Sequence, residues 1–183
     1  MALALIAQRE RIRPLMTVEA NTFLCTMIVG IGATFALDLW TAFLRIAFKV
    51  PSANYCLVGR WLRSMPEGTF THRSIAAAPA RGFECALGWI AHYAIGAGFT
   101  LALVLASPGW LAQPTILPAL LVGLMTVAMP FLVMQPAFGL GVAASKTPNP
   151  TQARLRSLAT HVAFGFCLYV SAQVLKLLID ARG

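Results

Sequence analysis

The chain has 183 residues, 58% of them apolar and 11% charged, with a formal net charge of +8. A soluble domain is about 25% charged, whereas no Asp, Glu, Lys or Arg occurs between Cys85 and Ser145. A water-soluble fold needs charge on its surface, so this stretch excludes a soluble globular domain and leaves the lipid bilayer as its solvent. The mean hydropathy of +0.75 agrees with that reading.

The first 20 residues read as an N-terminal tail with Arg9, Arg11 and Arg13, and Met16 is an alternative start. Its opening apolar run is too short for a signal peptide, and the next one is long enough to remain as an anchor. A first span is expected over 21–46, since ~20 apolar residues cross the hydrocarbon. In the loop 49–83, Tyr55, Val58, Trp61, Leu62 and Met65 recur at helical spacing, with Arg60 and Arg63 elsewhere on the wheel. This predicts a short amphipathic helix on the inner membrane surface, with Arg60, Trp61 and Arg63 at the lipid interface. It acts either as a plain anchor or by capturing anionic lipid.

A second span follows at 85–106, then an uncharged hairpin whose Trp110 suits a headgroup interface. The third span, 115–138, carries Pro118, Pro130 and Pro136. Pro130 should free the Thr126 carbonyl and kink the helix, and Pro136 with Gly139 and Gly141 should end it. The loop 139–156 leads to a fourth span over 157–179. The expected fold is therefore an all-α, four-helix membrane bundle, 21–183, with one interfacial helix in the first loop.

With four spans, the loops 49–83 and 139–156 share one side. Together with Arg45 they hold nine Lys/Arg, against five on the other side. The positive-inside rule puts both loops in the cytoplasm of a bacterial inner membrane and both termini outside it. Basic loops beside anionic lipid account for the net charge without a nucleic-acid partner. Cys25, Cys56, Cys85 and Cys167 are scattered and predict small packing residues rather than a disulfide framework.

Small and polar residues form stripes on these helices. Gly30, Thr34 and Asp38 share one on the first span, Glu84, Gly88, His92, Gly96 and Thr100 one on the second, and His161, Gly165, Tyr169 and Gln173 one on the fourth. Membrane helices pack through such stripes. Ile28-Val-Gly-Ile and Leu121-Val-Gly-Leu echo each other, as do His92/Gly96 and His161/Gly165. Duplication of a helical hairpin would produce these matches, and so would chance.

Asp38, Glu84, His92, Gln135 and His161 are expected to fall in one layer near the cytoplasmic boundary, and ionisable groups at such depth are functional candidates. In one reading Asp38, His92 and His161 converge as a proton relay, a substrate pocket or a metal site. In the other they are interhelical hydrogen bonds. No cofactor is expected. Gly139-Leu-Gly-Val-Ala-Ala matches a dinucleotide fingerprint but follows a proline-broken span rather than a strand, so it reads as a turn. Walker A, H-E-x-x-H and G-x-S-x-G patterns are absent from the sequence.

The segments GIGATFALDLW from Gly30, PSANYCLVGRWL from Pro51, LGWIAHYAIG from Leu87 and MQPAFGLGVAASKTPNP from Met134 occur in this order. The chain resembles, from about Gly30 to Tyr169, the bacterial membrane proteins of domain-of-unknown-function family 2938. That resemblance implies an inner-membrane protein and carries over no activity or catalytic residue. The polar layer leads to the expectation of a small, homo-oligomeric transport or permeability component. A membrane-embedded enzyme acting on a lipid or quinone-like substrate, and an assembly partner of another membrane protein, are the alternatives.

Overall fold

The computed structural model describes residues 2–181, with side chains from residue 21 onward, so the side chains of the expected tail lie outside the described residues. Among the described residues six α-helices follow in order: α1 Ala2–Phe48, α2 Tyr55–Ser64, α3 Glu84–Ala106, α4 Ile116–Thr126, α5 Gln135–Ala137 and α6 Pro150–Asp180. Four stretches are long and apolar enough to cross a membrane: Asn21–Phe48, Glu84–Ala106, Ile116–Ala137 and Pro150–Asp180. The chain is a multi-pass membrane protein built as an all-helical bundle.

The third of these stretches is composite. Pro130 lacks the N–H an α-turn needs, and the helix passes this point through a π-helical segment, Pro130–Met134, before α5. The Thr126 hydroxyl donates to the Gly123 carbonyl at 2.6 Å. After α5, Gly139 and Gly141 adopt left-handed φ of 86° and 74°, which turns the chain away from the helix. Helix α6 starts at Pro150 rather than near 157, because the Asn149 side chain caps it by accepting from the Gln152 N–H.

Helix α3 packs on α1, α1 on α6, and α6 on α4, while α2 lies against α3. The core between the long helices holds Val29, Ala33, Leu37, Leu103, Ala119, Phe164 and Leu168. Trp110 belongs to it as well. It is 4% exposed and donates its indole N–H to the Thr115 carbonyl at 3.0 Å, so it plugs the hairpin end of the bundle instead of sitting among headgroups. Only 17–33% of each span is buried in the protein, which leaves most of the apolar surface for lipid or another chain.

Helix α2 buries its apolar face in protein. Val58 packs with Ile75, Ala137 and Phe138, flanked by Trp61, Leu62 and Met134. The approach to α3 is backbone-close: a methyl on Gly59 would overlap the Glu84 carbonyl, and one on Gly88 would overlap the Tyr55 carbonyl. That closeness brings Cys56 and Cys85 together, and they form a disulfide with a Cα separation of 3.9 Å. The expectation that all four cysteines are packing residues is corrected for this pair; Cys25 and Cys167 remain free.

Gly88→Ala is expected to destabilise the protein by about 1–3 kcal/mol through overpacking and to lift α2 from α3. The measurement is thermal unfolding in detergent, paired with thiol labelling under denaturing, non-reducing conditions. After purification under oxidising conditions, wild type should label at Cys25 and Cys167 alone, and the variant at Cys56 and Cys85 as well.

Candidate functional site

The stripes on α1 and α3 meet face to face in antiparallel register. A methyl on Gly30 would lie 2.7 Å from the Ala97 Cα and 2.8 Å from the Thr100 hydroxyl, and one on Gly96 would overlap the Thr34 hydroxyl. Thr34 and Thr100 each satisfy their hydroxyl by donating to the carbonyl four residues back, Gly30 and Gly96, at 2.8 and 2.9 Å. The hydroxyls thus spend their donors inside their own helices and let the backbones close. One turn further along, the same register sets Asp38 opposite His92.

Both oxygens of Asp38 are engaged by α3. His92 Nε2 lies 3.0 Å from Oδ1, and the Tyr93 hydroxyl donates to Oδ2 at 3.0 Å. The Asp38 and His92 side chains are 16% and 14% exposed. Tyr55, from the first turn of α2, stacks on the His92 ring with centroids 3.9 Å apart and planes 22° from parallel. Trp89 meets the same ring edge-on at 5.8 Å. Burial first, and then the nearness of Asp38 and Tyr93, push the Tyr55 phenol above its ordinary value, so it stays neutral at physiological pH. His92 Nδ1 neither makes a hydrogen bond to the described residues nor is sealed in by them.

The other expected members of the layer are elsewhere. His161 faces α4, its Nδ1 2.7 Å from the Thr126 hydroxyl. With the Thr126 proton on the Gly123 carbonyl, His161 donates from Nδ1, so this contact is a helix–helix hydrogen bond. Gln135 reaches Ser157 at 3.4 Å and keeps a buried, unpartnered Oε1. Asp38, His92 and His161 therefore do not form a ligand set, and among the described residues no group of three or more His, Cys, Asp or Glu side chains is placed to hold a metal ion.

Glu84 is the acceptor of Arg60. The guanidinium bonds both carboxylate oxygens, Nε to Oε2 at 2.9 Å and Nη2 to Oε1 at 2.8 Å. Its Nη1 donates to the carbonyls of Ile75 and Ala78 at 3.1 and 2.8 Å, and the Arg81 N–H donates to Glu84 at 2.7 Å. The hydrogen bonds to Glu84 raise the Arg60 pKa still further. Arg60 was expected at the lipid interface and instead points into the protein, where it staples α2, the 75–78 segment and the start of α3. Trp61 also turns inward, donating to the Phe70 carbonyl at 2.8 Å and packing edge-on against Phe138. Of the three expected interface residues, Arg63 alone is exposed.

Chemically, the site is a carboxylate–imidazole dyad. With Asp38 holding Nε2, the ring is fixed by Tyr55 and Trp89 and presents Nδ1 as the atom able to take up and give back a proton. Tyr55, Trp89 and Tyr93 are participants that the sequence alone does not single out, Tyr55 the least expected of them. Its signal was its place at the head of the amphipathic helix, which says that it faces something apolar but not that it faces His92.

Residues 27–175 match the family model described as "Protein of unknown function (DUF2938)". The match covers most of the chain, which therefore belongs to this family. Among curated proteins and solved structures, none matches the chain.

Arg60→Ala is expected to lower the thermal midpoint and to open the 65–83 segment to limited proteolysis, because Glu84 and two carbonyls lose their donor together. Arg60→Lys should not restore either property, since a single ammonium cannot span the carboxylate and the carbonyls.

Proposed function

We propose that this member of the DUF2938 family is a small transport component of a bacterial inner membrane, and that the Asp38–His92 dyad is its proton-carrying element. One observation carries the reading. A carboxylate and an imidazole are bonded to each other within the span-forming parts of α1 and α3, and the far nitrogen of that imidazole stays reachable. Ionisable residues at such depth are costly and mark proton and solute paths. In the proposed cycle, Nδ1 accepts a proton from one side while Nε2–H stays on Asp38, and release from Nδ1 to the other side restores the neutral ring. The lightly buried spans suit assembly of several copies around such a path.

In this reading the 49–83 and 139–156 loops face the cytoplasm, which the Lys/Arg bias supports. That orientation has a consequence for Cys56 and Cys85. A reducing cytoplasm keeps a pair on that side as thiols, whereas an oxidising compartment keeps the bridge. Trapping thiols with N-ethylmaleimide in intact cells reads which state is present.

Wild-type protein in liposomes loaded with a pH-sensitive dye should take up protons when a potassium-diffusion potential is imposed. His92→Gln and Asp38→Asn are each expected to slow uptake by about tenfold or more, with an unchanged elution profile. Wild-type uptake no faster than that of empty liposomes would remove the proposal.

A further inference from the structure

On the loop side of the bundle, segment 71–73 and the loop after α5 line an open cavity of about 680 Å³. Among its lining residues are Thr71, His72, Arg73, Gly139, Ser145 and Lys146, and no Asp or Glu is among them. The Arg73 and Lys146 side chains have no hydrogen-bonding or ionic partner among the described residues, unlike Arg60, Arg81 and Arg154, each of which has one. His72 is held by its backbone, whose N–H donates to the Ala137 carbonyl at 2.7 Å, yet its ring keeps a buried Nδ1 without a partner. With Nδ1 sealed in protein, the ring can meet a ligand in the cavity only through Nε2.

The wall of the cavity is held rigidly. A methyl on Gly139 would overlap the Arg73 carbonyl, the Lys146 N–H donates to the Leu140 carbonyl at 2.9 Å, and Arg154 donates to the Ala143 carbonyl at 2.8 Å. Ala143 and Ala144 both carry left-handed φ, 47° and 57°. Such conformations cost side-chain-bearing residues about 1–3 kcal/mol each, and they cluster at ligand clamps. Pro136 lies at the end of the apolar stretch Ile116–Ala137 and Lys146 just before the one that opens at Pro150, so the site falls between two candidate spans.

We infer that this cavity binds a terminal phosphate, a phosphomonoester or the free anion, rather than a phosphodiester capped by a cation. An arginine fork and a lysine point charge are the two side chains that recognise phosphate best, and Thr71, Ser145 and His72 add neutral donors. The phosphate can belong to an acidic lipid or come from the aqueous phase. This site uses a different set of residues from the Asp38–His92 dyad and does not depend on it.

The test is a binding titration of the purified full chain in detergent with dioctanoyl phosphatidic acid, inorganic phosphate and dioctanoyl phosphatidylcholine. Phosphatidic acid is expected to bind about tenfold or more tightly than phosphatidylcholine, and Arg73→Gln/Lys146→Gln to weaken it by about the same factor. The charge-matched Arg63→Gln/Arg156→Gln variant should stay within about twofold of wild type. His72→Phe serves as a second probe with both cations intact and is expected to weaken binding too. Binding of phosphatidic acid without inorganic phosphate identifies a lipid headgroup, and comparable binding of both identifies the free anion; either supports the site. Equal affinity for phosphatidic acid and phosphatidylcholine, or equal losses in the two double variants, overturns it.

Discussion

A carboxylate in the membrane-spanning part of a helix must find partners or cost several kcal/mol, and Asp38 finds both of its partners on α3. Much of the molecule follows from that demand. For His92 and Tyr93 to reach Asp38, α1 and α3 must run nearly backbone to backbone, which is why Gly30 and Gly96 sit where a methyl would collide. Thr34 and Thr100 keep the same seam narrow by bonding their own helices. The His92 ring then needs a cover on its outer face, and Tyr55 supplies it from a helix that is not part of the bundle.

Helix α2 reaches that position through a second close approach, Gly59 and Gly88, tied by the Cys56–Cys85 bridge and by Arg60 on Glu84. Arg60 and Asp38 thus do opposite kinds of work. At Arg60 the charge is paired and all three guanidinium nitrogens are bonded within one knot, which suits a fixed strut. At Asp38 the acceptors are satisfied while one nitrogen of the partner ring stays open, which suits a group that exchanges protons.

The spans and the α1–α3 seam were legible in the sequence because both are periodic. Gly30, Thr34 and Asp38 recur every four residues, as do Gly88, His92, Gly96 and Thr100, and helical geometry alone places each set on one face. The inward turn of Arg60 was not legible. A helical wheel separates polar from apolar faces, but it cannot distinguish a polar face open to water from one covered by the carbonyls of residues 75–78. The disulfide was hidden for a related reason: 29 residues separate Cys56 from Cys85, and only the glycine contact between α2 and α3 makes them neighbours. Of the two readings of the polar layer, convergence of His161 with Asp38 and His92 does not occur, because equal depth in a bilayer does not mean equal facing.

The echo between the two hairpins shows why the histidines differ. Gly30 and Gly123, the matched glycines, both mark points where paired helices nearly touch. In the first pair Gly30 meets Ala97 and Thr100, beyond His92, so the histidine lies opposite Asp38, eight residues past the glycine. In the second pair Gly123 meets His161 and Gly165 themselves, so the histidine lies opposite Thr126, three residues past the glycine. The helices of the two hairpins cross at matched glycines but in registers offset by more than a turn. A hydroxyl bonded to the backbone replaces a carboxylate as the partner, and the second histidine is left with a packing contact. Asymmetry of this kind gives one hairpin a hydroxyl–imidazole contact and the other a carboxylate–imidazole pair. The α1–α3 pair, covered by α2, is thus where the carboxylate and imidazole meet.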